Sequence, residues 1–113
     1  RAEALAAEAA SLHDLTLSTS YHDIFLHCDN APEAVAHLAR ALDAEGISHD
    51  EGDLPMRGSE DFGRLRAVAP SAMFFLGSGE NHPALHNPDY DFPDALIATG
   101  ARIFMRVIRD LLD

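Results

Sequence analysis

Pro70-Ser71-Ala72-Met73-Phe74-Phe75-Leu76-Gly77 is the stretch on which the fold class turns. An unbroken apolar run this short, closed by a proline and a glycine, fits a strand buried on both faces. Strands of that kind belong to parallel sheets. Residues 77–90 are punctuated by glycine, asparagine and proline and must be loop. Beyond them, Leu96, Ile97, Ala101, Phe104, Val107, Ile108 and Leu111 mark one face of a long helix, with Asp91 as its cap and Pro93 in its first turn. Arg102, Arg106 and Arg109 lie mostly on the other face. Strand, loop and helix in this order point to an α/β fold.

Upstream, Leu15, Leu17, Thr19 and Tyr21 alternate on period two, the pattern of a half-buried strand. Before it, residues 1–13 are rich in alanine and glutamate and read as the tail of a helix. The chain opens Arg1-Ala2-Glu3, without Met and already inside that helical pattern, so its first residue reads as an internal cut. Residues 22–31 have no clear period and cross between structural units. Asp29 or Asn30 caps a second helix with Pro32 in its first turn, Val35, Leu38, Ala39 and Leu42 as its buried stripe, and Gly46 at its end. A tight turn at Gly58-Ser59-Glu60-Asp61 runs into a short helix. Two strands so far apart make a poor sheet without partners from elsewhere. The chain is expected to be part of something larger.

The 113 residues carry a formal charge of −11, from 19 acidic residues against 8 basic ones, all of them arginine. Such a chain repels phosphate backbones and anionic membrane surfaces, so neither nucleic acid nor membrane is expected as a partner. No apolar run approaches the roughly 20 residues of a membrane span. The single cysteine, Cys28, excludes an internal disulfide and any multi-cysteine zinc site. It reads as a small buried hydrophobe and suits a cytoplasmic setting.

Two segments have chemistry to offer. In Asn81-His82-Pro83-Ala84-Leu85-His86-Asn87-Pro88 the histidines stand four apart, but the prolines rule out a helix that would aim both at one ion. A loop histidine just after a strand is still well placed, because ligands gather outside the carboxyl ends of strands in α/β sheets. His86 is therefore a candidate ligand for zinc, manganese or nickel, and Asn87 a candidate for shaping the loop. His82 is left a structural role. Gly58 and Ser59, at a helix start, offer backbone N–H groups to a substrate carboxylate, against the ordinary reading of Ser59 as a cap. His22-Asp23 is a possible ligand-and-orienter pair; the remaining histidines read as solvated.

Three pieces occur together and in order: Pro55-Met56-Arg57-Gly58-Ser59-Glu60-Asp61-Phe62, Phe74-Phe75-Leu76-Gly77 and Ala84-Leu85-His86-Asn87-Pro88. This combination resembles the C-terminal region of the M20 metallopeptidase family. It is closest to the aminoacylase-like amidohydrolase branch of hippurate hydrolases, auxin-conjugate hydrolases and N-acetyl-diaminopimelate deacetylases. The likeness is specific from residue 55 to the end and weaker before it, where Tyr21-His22-Asp23 and Asn30-Ala31-Pro32-Glu33 match. Arg57 departs from the family's usual residue before the glycine-serine pair, which bears on substrate preference.

The resemblance implies architecture and chemistry. Residues 1–21 look like the last helix and strand of an α+β lid domain, through which relatives form homodimers. Residues 22–113 look like the closing part of a zinc-peptidase-like α/β catalytic domain. His86 falls on the family's last metal ligand, and Gly58, Ser59 and Glu60 fall on the segment that faces substrate. Two divalent ions, zinc, manganese or nickel, would polarise an amide carbonyl and activate a bridging water. The other ligands and the glutamate general base would lie upstream of residue 1, so no catalytic residue is expected within the chain. Substrates would be N-acyl amino acids or peptide-like amides, and the 113 residues alone should be inactive. The competing readings are a non-catalytic binding or assembly module that keeps the fold, and a dipeptidase or carboxypeptidase of the same family. The upstream sequence separates them.

Overall fold

The structure is a computed structural model that describes residues 1–58 and 60–113. Three α-helices form: α1 (Ala2–Leu12), α2 (Pro32–Ala44) and α3 (Ala95–Leu112), with a 3₁₀ element, η1 (Asp61–Ala67), between the last two. Proline at its first position starts α2. Its end is a Schellman turn, with Gly46 at φ +67° and bonds from Gly46 N–H to Asp43 O (3.0 Å) and Ile47 N–H to Leu42 O (2.9 Å). Arg102 of α3 completes that end: Nη2 donates to Glu45 O at 3.0 Å and Nε to Glu45 Oε2 at 3.0 Å. α3 begins later than Asp91 and Pro93 suggest, because residues 93–97 first pass through turn bonds such as Leu96 N–H to Pro93 O.

The α/β expectation is overturned. Among the described residues no strand forms and no sheet exists. Residues 15–21 and 72–76 form no regular element, and neither pairs with another strand. A sheet needs rows of amides and carbonyls facing each other, and these two segments supply no such pairing. Residues 72–76 instead find a side chain as partner. Asn30 Nδ2 donates to Met73 O and Asn30 Oδ1 accepts from Met73 N–H, both at 2.9 Å, while Ala31 N–H donates to Ser71 O, also at 2.9 Å. One face of this segment lies on α3 in the opposite direction. The Phe74 ring sits 5.7 Å from Phe104, and Leu76 passes over Gly100, where a Cβ would stand 3.8 Å from Leu76 Cδ2. Phe75, pointing the other way, is exposed.

Residues 24–27 cross beneath η1, and only a glycine permits it. A Cβ on buried Gly63 would come within 2.5 Å of Leu26 O and 2.6 Å of His27 O. Arg64 Nη2 ties the same crossing by donating to Ile24 O at 3.1 Å. Cys28, on this segment, is exposed rather than buried.

The core is small: Ala31, Ala41, Leu42 and Ile103 are its buried apolar residues. α2 and α3 pack on each other, whereas α1 packs on neither. The apolar face of α3 is largely bare, with Ile97, Phe104, Ile108 and Leu111 all exposed. Ile103 is the side chain that α3 buries. A compact chain of this length has a radius of gyration of about 13 Å; here it is 20.0 Å. A compact monomer of this mass exposes about 6,100 Å²; this chain exposes 9456 Å². The excess is of the size that obligate interfaces bury.

Candidate functional site

The loop between residues 77 and 94 is built from successive turns. His82 N–H donates to Gly79 O (3.3 Å), Asn87 N–H to Ala84 O (3.0 Å) and Tyr90 N–H to Asn87 O (3.0 Å). Asn87 thus shapes the loop through its backbone. His86 lies on the second of these turns with φ +73°, a left-handed conformation that costs a non-glycine residue about 1–2 kcal/mol. Its imidazole is exposed and makes no hydrogen bond to a described residue. The exposed ring is accessible from solvent.

One imidazole does not hold an ion. Zinc sites take three or four protein ligands, and among the described residues no three His, Cys, Asp or Glu side chains gather into a metal-binding group. The donor chemistry of this loop fits one ligand of a site whose remaining ligands come from elsewhere.

Gly58 and Glu60 flank Ser59, which lies outside the described residues, so the reading of Ser59 as a substrate contact is carried by sequence alone. Gly58 is exposed, and a Cβ there would touch only the Met56 side chain. Half-buried Glu60 serves η1 as its cap, Oε1 accepting from Phe62 N–H at 3.2 Å. The Phe62 amide is therefore not open to a substrate carboxylate. Arg57 is exposed and joins no ion pair with a described residue.

The other histidines have neighbours of their own. His22 Nε2 lies 3.2 Å from Ser20 Oγ, so its neighbour in the structure is not Asp23. His37 Nδ1 accepts from Arg40 Nη2 at 2.8 Å. His82, half-buried, packs edge-on to Tyr90 with ring centroids 5.1 Å apart. An open groove lined by Arg40, Asp43, Arg106 and Asp110 holds the Arg106–Asp110 pair at 2.8 Å and contains none of the candidate residues. It is a solvated charged surface.

Local patterning gave no sign of Asn30 as a clamp or of Tyr90 as a partner for His82. Asn30 ahead of Pro32 reads as a helix cap, and its true partner is 43 residues away. A model of the peptidase family M20/M25/M40 matches residues 16–110. No curated protein and no solved structure matches the chain.

Proposed function

This chain belongs to peptidase family M20/M25/M40, and from that premise we propose that it is the part of a metal-dependent amidohydrolase carrying one metal ligand, His86, and one wall of the substrate site. The observation that carries this reading is the exposed, uncommitted His86 imidazole, held at φ +73° in a turn-built loop within the matched span.

In this reading the substrate is an N-acyl amino acid or similar small amide, as in the aminoacylase-like branch. Two divalent ions, when bound, supply polarisation of the amide carbonyl and acidify the attacking water. His86 contributes one neutral nitrogen donor to them. Gly58, Ser59 and Glu60 face the acyl-amino-acid, and Glu60 also caps η1 by accepting from Phe62 N–H. The general base and the other ligands come from sequence outside these residues. Residues 1–21 end a lid domain through which two copies pair, and residues 22–113 close the catalytic domain. The surplus surface supports the same view, since the bare stripe of α3 needs a covering layer.

The test compares two proteins on a panel of N-acetyl amino acids: the full-length protein containing this chain and the 113 residues alone. Metal-dependent hydrolysis, abolished by chelation, is expected from the first only. Turnover by the 113 residues alone would refute the one-ligand account. A metal-loaded full-length protein inert on every amide would favour the binding or assembly module.

A further inference from the structure

We propose that His82 and Tyr90 are positioning residues, whose paired rings close the loop and set the direction of the His86 imidazole; this rests on the reading of His86 as a metal ligand. The two rings bracket His86 symmetrically, four residues on either side. Their centroids are 5.1 Å apart at 68°, an edge-to-face arrangement, which aromatic pairs prefer to a stacked sandwich. Between them only Pro83 is shielded as they are; Ala84, Leu85, His86, Asn87, Pro88 and Asp89 are exposed. The ring pair is therefore the packed foot of a loop whose tip is solvated.

A metal-ligating histidine is ordinarily oriented by a hydrogen bond from its second ring nitrogen. His86 has no such bond to a described residue, so the backbone, by placing its Cα–Cβ bond, is what limits where the ring can reach. That backbone is in an unfavourable left-handed conformation, inside the turn closed by Asn87 N–H to Ala84 O and just before the turn closed by Tyr90 N–H to Asn87 O. Bringing residues 82 and 90 together is what holds those turns in one arrangement, at an entropic cost that the ring contact offsets. His82 is itself anchored, with Nδ1 3.2 Å from Pro83 O.

The experiment uses the full-length protein titrated with cobalt(II), following the visible ligand-field absorption, with near-ultraviolet circular dichroism as a check of folding. His86→Ala should abolish one of the two binding steps. His82→Ala and Tyr90→Ala should weaken that same step by about tenfold, the usual effect of losing an outer support, and leave the other step unchanged. His82→Phe and Tyr90→Phe keep the ring contact and should retain near-native affinity. His82→Leu, which fills space without an aromatic edge, should behave like His82→Ala and replaces it if alanine prevents folding. Loss of the step in His86→Ala with native affinity in His82→Ala would overturn the positioning role and leave the ligand reading intact. Phenylalanine variants as weak as the alanine ones would also overturn it. Native binding of both ions by His86→Ala would remove the ligand reading and the positioning role together.

Discussion

Replacing Gly63 with alanine tests the packing around η1 with a magnitude that follows from the coordinates. The added methyl would stand 2.5 Å from Leu26 O, 2.6 Å from His27 O and 2.9 Å from the His27 carbonyl carbon, where ordinary contact begins at 3.4 Å. All three atoms are backbone, so no side chain can rotate away. The crossing segment would have to move by nearly 1 Å, disturbing the Arg64–Ile24 bond at 3.1 Å and shifting the approach to the Asn30 clamp. Overpacking of this kind costs about 1–3 kcal/mol, and immovable neighbours place it at the upper end. Alanine returns about 0.4–1 kcal/mol by restricting the unfolded chain. The net expectation is a destabilisation of about 2 kcal/mol. Urea unfolding of the full-length protein should show a lower midpoint with an unchanged slope. Gly77, where a Cβ meets nothing within 4 Å, is the control, and its alanine variant should be neutral or slightly stabilising. Equal midpoints for the Gly63→Ala and wild-type proteins would refute the close approach.

Asn30→Leu removes both 2.9 Å bonds to Met73 and should cost about 1–2 kcal/mol. Amide exchange at Met73 should accelerate in step, and Asn30→Asp should recover only part, since a carboxylate accepts from Met73 N–H but opposes Met73 O. Unchanged exchange would show that the clamp does not form in solution. Gly46→Ala forces a methyl-bearing residue to φ +67° at the end of α2 and should lower stability by about 1 kcal/mol; an unaltered thermal midpoint would argue against the Schellman turn.

How far the sequence could be read depended on whether the decisive partner was near in the chain. The three helices were legible because their signals are local: Pro32 at a first turn, Gly46 at a left-handed stop, and the apolar periodicity of residues 96–111. The strands were misread for the opposite reason. A sheet depends on neighbours that no local pattern reveals, and the neighbour of residues 72–76 is the Asn30 side chain. For α3, periodicity locates an apolar stripe but not the layer that covers it. Ile103 is fully buried, while Ile97, Ile108 and Leu111 stay exposed. His86 is a candidate on two grounds, its place in the loop after an apolar run and its place in the Leu-His-Asn motif, but the left-handed backbone that carries it has no signature in that sequence. Glu60 was placed at the substrate turn, and its role there as a cap on Phe62 N–H emerged only from the geometry.

The most direct test of the account is the metal content of the full-length protein after exhaustive dialysis, measured for wild type and His86→Ala. Two divalent ions per chain in the wild type and one in the variant, with the fold preserved, is the predicted result. Two tightly held ions in both proteins would show that the solvent-facing imidazole on this loop is a bystander.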